Sequence, residues 1–133
     1  MTSGTLRSGD VVLVAAGGAV GAMARLGVES ASPDSLFPWP TLAINVVGAL
    51  LLGLLPALSA VRRSQRVALT LGPGVLGGFT TVSAWAGSVR DLADTGHVVL
   101  GGLYLAVTLG AGFAAAAVGR RLSHRPEPPR AAT

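Results

Sequence analysis

Residues 67–89 read VALTLGPGVLGGFTTVSAWAGSV, 23 consecutive positions without a charged side chain, closed off by Arg66 and Arg90. A helix that crosses the hydrocarbon core of a bilayer needs roughly 17–25 mostly apolar residues, so the run is long enough to span. Its interior is not that of an ordinary helix. Gly72-Pro73-Gly74-Val75-Leu76-Gly77-Gly78-Phe79-Thr80-Thr81 places four glycines and a proline in ten positions, and a regular, stable helix is not expected from that composition. Irregular backbone at membrane depth survives only where protein buries it or where it lines a cavity, and carbonyls released from a helical ladder can coordinate a cation. The expectation is therefore a span broken near the midplane. Close packing is a compatible reading, because Gly74 and Gly78, like Gly17 and Gly21, have the four-residue spacing that lets backbones approach.

Working outward, three more uncharged runs appear: 14 residues between Asp10 and Arg25, 27 between Asp34 and Arg62, and 25 between Asp94 and Arg120. The first reaches spanning length if it continues through Arg25 to about Val28. Only 12% of the 133 residues are charged, against about 25% in an average soluble domain. A soluble helical bundle of this size would have too little polar surface to face water. The chain is read as an all-α integral membrane protein, a single domain over 1–133 with spans at about 11–28, 37–60, 67–89 and 97–119. A disordered tail over about 123–133 follows from Pro126, Pro128 and Pro129. The opening has the parts of a secretory signal, with Arg7, an apolar stretch and Ala22-Met23-Ala24. Asp10, three glycines and the further spans favour a first membrane span instead.

Every basic residue is an arginine, and no arginine stripe is interleaved with aromatics, so the net charge of +4 does not indicate nucleic acid. Membrane topology accounts for it better. In a four-span chain the N-terminus, the second loop and the C-terminus share one side. They carry Arg7, Arg62, Arg63, Arg66, Arg120, Arg121, Arg125 and Arg130, against Arg25 and Arg90 opposite. The positive-inside rule then puts both termini in the cytoplasm of a cell-membrane protein.

No Asp or Glu falls within a span, although proton-coupled transporters usually carry ionisable relays there. His97 and His124 have no partners at ligand spacing, cysteine is absent, and no paired carboxylates or nucleophile constellation lies in the spans. An enzyme is not expected, and a proton-coupled exporter is disfavoured. The groups at depth are neutral: Asn45 in the second span, Thr80, Thr81 and Ser83 in the third, Tyr104 and Thr108 in the fourth. Tyr104 and Thr108 are four apart and share a helix face. A lone Asn in an apolar run needs a partner or a polar passage. Hydroxyls of Ser and Thr also bond i−4 carbonyls in membranes, a reading favoured for Thr108 alone, whereas the whole set fits a lined polar path better.

Three motifs in order make the chain resemble the CrcB/Fluc fluoride channel family from about Gly17 to Gly119. They are Gly17-Gly18-Ala19-Val20-Gly21-Ala22-Met23-Ala24-Arg25, then Thr41-Leu42-Ala43-Ile44-Asn45-Val46-Val47-Gly48, then Gly77-Gly78-Phe79-Thr80-Thr81-Val82-Ser83-Ala84-Trp85. The last is similar to the signature Gly-Gly-Phe-Thr-Thr-Phe-Ser-Thr-Phe. The resemblance implies a passive fluoride-selective channel in which two four-span subunits pack antiparallel around a structural sodium ion that is not transported. It implies carbonyls of Gly77 and Thr80 on that ion, Arg25 at a vestibule, and an anion path along Asn45, Thr81, Val82, Ser83, Trp85, Tyr104 and Thr108. Amide and hydroxyl donors would replace the water shell of fluoride without trapping it as a buried cation would. An inside-negative potential would expel the anion with about 2.3 kcal/mol per 100 mV.

The chain also departs from the pattern. Val82 stands where the family has its first phenylalanine and Trp85 where it has the second, Ala84 replaces the threonine between them, and Ser88 holds the place of an acidic residue. A chain that inserts in both orientations should have balanced arginines, and eight against two predicts insertion one way. The expectation is a dimer with a related, oppositely oriented subunit, otherwise a homodimer, in contact with fluoride and membrane lipid. The competing reading is a non-conducting scaffold subunit of a heterodimeric channel.

Overall fold

The computed structural model describes residues 7–124. The tail predicted from about Ser123 falls almost wholly outside that range, and Ser123 itself closes the last helix. Four helical segments are long and apolar enough to cross a membrane: Ser8–Ser30, Trp39–Ala57, Gln65–Asp94 and Val98–Ser123.

The first is one uninterrupted helix, α1 (Ser8–Ser30). Asp10 sits in its first turn, where a carboxylate suits the exposed N–H groups and the helix dipole. It accepts from the Arg7 backbone N–H at 3.1 Å and pairs with Arg66 at 3.1 Å. The second segment is α2 (Trp39–Leu54), with Pro40 in the first turn, where a missing N–H costs nothing. A single 3₁₀ turn, Leu55–Ala57, ends it around Pro56. The Arg62 guanidinium, from the short helix α3 (Ser59–Arg63), caps the Pro56 and Ala57 carbonyls at 2.7 and 2.9 Å.

The third segment is built in pieces. Helix α4 (Gln65–Leu69) runs into a π-helical stretch over Thr70–Leu76, then into the single turn α5 (Gly77–Phe79). Thr80 and Thr81 are extended, with φ/ψ of −75°/154° and −145°/119°, before α6 (Val82–Asp94) resumes. Proline 73 thus does not stop the helix. The wider π turn shifts the hydrogen-bond ladder by one residue around the missing N–H, and the interruption comes seven residues later. A turn at Gly96, the one residue among those described with positive φ (84°), connects to α7 (Val98–Ser123).

Helix α2 lies along α7, α1 along the π-helical stretch and α5, and α6 along α7. Lipid tails are as apolar as leucine, so helix association in a membrane relies on close packing rather than on water exclusion. The α1 seam follows that rule. Gly17 and Gly21 face the third segment so closely that a Cβ on Gly21 would strike the Val75 carbonyl, and one on Gly78 the Gly18 carbonyl. Between α2 and α7 the same close approach joins Gly53 to Gly119. Tyr104 and Ile44 are the only large side chains fully enclosed among the described residues, while Val12, Met23, Val99, Leu103 and Phe113 project outward, as lipid-facing residues do.

Candidate functional site

Asn45 reaches from α2 to the break. Its Nδ2 donates to the Thr81 carbonyl at 3.0 Å and its Oδ1 accepts from the Thr81 N–H at 2.9 Å. The side-chain amide thereby pairs both backbone groups of the residue that the helix has released, as a neighbouring strand would. Backbone groups at membrane depth need such partners, which explains how two extended residues persist inside a span. An Asn amide has two N–H groups, so one remains beyond the clasp.

Thr81 then starts α6. Its Oγ1 accepts from the Ala84 N–H at 3.0 Å, a threonine N-cap, and lies 3.2 Å from Ser83 Oγ. These two diversions act on the backbone behind them. The i+4 donor for the Gly77 carbonyl is the Thr81 N–H, now on Asn45, and the donor for the Thr80 carbonyl is the Ala84 N–H, now on the Thr81 hydroxyl. Thr80 keeps its own hydroxyl on the Leu76 carbonyl at 2.9 Å.

Two hollows meet at the break. One, about 300 Å³, is bounded by Asn45, Thr80, Thr81, Val82, Trp85 and Thr108 with Leu109, Gly112 and Phe113 of α7. The other, about 370 Å³, lies between α2 and the π-helical stretch, bounded by Asn45, Gly48, Pro73, Gly77 and Thr80. Asn45, Ala49 and Thr80 belong to both, and no ionisable side chain lines either. Three buried polar atoms near this region have no hydrogen-bond partner: Trp85 Nε1, Tyr104 Oη and Thr108 Oγ1. Thr108 therefore does not bond back to its own helix, unlike Thr80 and Ser88, whose hydroxyls do.

Not every expected residue converges on the hollows. Tyr104 is enclosed beneath them, its ring edge-on to Phe37 at 5.3 Å, and its hydroxyl lies among those of Thr41, Ser88 and Thr108 without completing a bond to any. Ser83 touches the site only through Thr81 and is otherwise exposed. Val82 is 75% exposed at the outer lip. Arg25 stands apart: its Nε lies 3.5 Å from the Gly78 carbonyl and its Nη1 pairs with Glu29 at 3.4 Å, so it ties α1 to the turn before the break. The sequence reading passed over Phe113, whose ring shares the first hollow with Trp85 and is 74% exposed. A phenylalanine in an apolar helix carries no signal of its own, and only the packing of α6 on α7 brings it there.

The chain that carries this broken span and its half-buried Asn45 matches known proteins in sequence. Residues 12–120 match the family described as CrcB-like protein, Camphor Resistance (CrcB). The chain belongs to the CrcB family. Among curated CrcB relatives, the fluoride-specific ion channel FluC of Agrobacterium fabrum is 44% identical over 124 residues, covering 85% of this chain and 98% of that one. The protein of the same name from Novosphingobium aromaticivorans is 44% identical over 105 residues, 74% and 83% of the two chains. Fluoride-specific ion channel FluC 2 of Symbiobacterium thermophilum is 44% identical over 119 residues, 84% and 95%. With four apolar helices and this membership, the chain is a multi-pass membrane protein.

Proposed function

We propose that this CrcB protein is a subunit of a fluoride channel that lets the anion leave the cytoplasm passively. The observation that carries the reading is the break itself, beside a mostly apolar hollow to which three helices bring Asn45, Thr81, Trp85 and Thr108 with no ionisable side chain among the lining residues. A small, strongly hydrated anion leaves water only when other donors replace its shell. Neutral donors do so without the deep trap a lysine or arginine would create, and the absence of a lining carboxylate removes the repulsion that would bar an anion. The names of the relatives point to the same ion.

The break also supports a cation role for the Gly77 and Thr80 carbonyls. Both have lost their helical donors, and hard cations such as sodium favour oxygen ligands of this kind. Two carbonyls are too few to enclose an ion, so a second subunit would have to present its own pair across the exposed surface at Pro73 and Gly77. A sodium ion bound there would supply a fixed positive charge at the centre of the pair. The arginine asymmetry favours a partner of opposite orientation encoded separately, with both termini of this chain in the cytoplasm.

The test is fluoride efflux from liposomes holding the purified chain, alone and co-reconstituted with a paralogous four-span chain. Efflux in either case supports the channel. Efflux from the single chain would overturn the separate partner, and silence in both would leave a scaffold role in its place.

A further inference from the structure

The two ends of the helical bundle differ in how their charges are matched. At the end where α1 closes and α6 meets α7, Arg25 pairs with Glu29 and Arg90 with Asp94, and Asp34 and Asp91 lie beside them. At the opposite end Arg66 holds Asp10, while Arg62, Arg63, Arg120 and Arg121 have no carboxylate in ion-pair contact among the described residues. Packing gathers those four. Gly53 of α2 and Gly119 of α7 meet backbone to backbone, the 3₁₀ turn after α2 runs against α7, and the last turn of α7 carries Arg120 and Arg121. Arg62 is fastened to the same 3₁₀ turn: its Nη1 donates to the Pro56 and Ala57 carbonyls at 2.7 and 2.9 Å. Both acceptors are neutral, so its charge stays uncompensated, and the Nε and Nη2 donors of the guanidinium fork keep no partner among the described residues. Arginines in a last helical turn offset the helix dipole and the open carbonyls, which explains each position singly but leaves like charges together without a counter-ion. All four side chains are exposed, and one step deeper along α2 and α7 the apolar side chains of Leu52 and Val118 are exposed as well.

We infer that this end of α2 and α7 binds an anionic phospholipid, the headgroup phosphate on Arg62 and the Arg120–Arg121 turn and the acyl chains along the surface of Leu52 and Val118. The planar guanidinium fork suits a pair of phosphate oxygens, and the apolar surface directly below the arginines is what separates a lipid from a soluble phosphate as the occupant. With the termini in the cytoplasm, as proposed above, this end meets the leaflet that carries anionic lipid. At the other end each described arginine is already paired with a carboxylate, so no equivalent site exists there. The lipid therefore holds the chain by one end and favours one orientation in the bilayer. The inference does not depend on which ion the protein conducts.

The experiment counts lipids bound to the full-length chain by native mass spectrometry, from detergent micelles titrated with phosphatidylglycerol, with phosphatidylcholine of the same acyl chains, or with glycerophosphoglycerol, the same headgroup without chains. The site variant is Arg120→Gln with Arg121→Gln, both exposed, and Arg90→Gln at the opposite end is the control; thermal unfolding checks that each variant folds. Arg62→Gln, which keeps an amide donor for the turn carbonyls, gives a second reading if the double variant does not fold. The expected result is saturable binding of phosphatidylglycerol over phosphatidylcholine, weakened about fivefold for each arginine removed from the site and unchanged in Arg90→Gln. Equal binding of the two lipids, an equal loss in Arg90→Gln, or no loss in the site variants overturns the inference and leaves only unspecific attraction to the lipid. Glycerophosphoglycerol bound as tightly as the lipid also overturns it, in favour of a soluble phosphate ligand. Fluoride flux plays no part in the readout, so the channel reading stands or falls separately.

Discussion

Replacing Asn45 with alanine tests the structure where its parts depend on one another. The substitution removes both bonds of the clasp, at 3.0 and 2.9 Å, and strands the Thr81 N–H and carbonyl at membrane depth. In water-soluble proteins each buried group left unpaired costs about 1–3 kcal/mol. Interhelical hydrogen bonds in membranes average about 0.6 kcal/mol with a maximum near 1.7, because the unfolded chain in the bilayer also finds partners. Two such bonds sum to about 1–3 kcal/mol, and the lower half of that range applies if Thr81 can wind back into the helix. That relaxation has its own signature: the freed Thr81 N–H would return to the Gly77 carbonyl and abolish the paired release of carbonyls at the break. Asn45→Ala should therefore lose stability and fluoride efflux together. Stability is measured by reversible unfolding in mixed micelles, efflux in liposomes on the folded fraction. An unfolding free energy within about 0.5 kcal/mol of native, with efflux unchanged, would refute the clasp as the element that holds the span open.

Three further substitutions separate the seam, the cation site and the path. Gly21→Ala places a Cβ against the Val75 carbonyl and 2.8 Å from the Phe79 nitrogen; neither backbone atom can swing aside, so thermal unfolding should show a loss of about 1–3 kcal/mol typical of overpacking. For Gly77→Val, a Cβ at this exposed position meets nothing in its own chain nearer than the Gly72 carbonyl at 3.8 Å, so the monomer should fold while dimerisation and any sodium dependence of efflux fall, by cross-linking and flux; normal dimers with unchanged sodium dependence would remove the Gly77 carbonyl from the proposed site. Val82→Phe adds a ring at a position 75% exposed, displacing no packed neighbour, and should raise efflux; no change would mean that Trp85, Phe113 or a partner already provides the aromatic surface.

The four membrane segments were legible because long uncharged runs have few other uses, and the glycine seam because its spacing on α1 repeats in the third run. The break was legible in region but not in position. Composition drew attention to Pro73, yet a π turn absorbs a proline, and the helix parts at Thr80 and Thr81, where hydroxyl and amide partners wait. Those partners lie outside the local sequence: Asn45 is 36 residues from Thr81. Sequence spacing put Tyr104 and Thr108 on one face, as they are, but not that Phe37 would enclose the tyrosine. Arg25, assigned to a vestibule from the resemblance, pairs with Glu29 one turn along its own helix and lies against the Gly78 carbonyl, the second a contact that α1 gains only by packing on α5.

The break and the two hollows beside it share a single choice of hydrogen bonds. Once Asn45 takes the Thr81 N–H, the Gly77 carbonyl loses its helical donor, and once the Thr81 hydroxyl takes the Ala84 N–H, the Thr80 carbonyl loses its own. Neither diversion is free in a bilayer, since each leaves an acceptor with no water to satisfy it. In the proposed pairing, a partner that brings a cation or donors of its own to the surface where Pro73 and Gly77 are exposed would satisfy these carbonyls. The same diversions accompany the extended Thr80 and Thr81 between α5 and α6, beside the hollow that Trp85 and Thr108 help to line. Closing the ladder would alter the proposed carbonyl site and the proposed anion path in one movement, so pairing and permeation are expected to fail together when the clasp is cut.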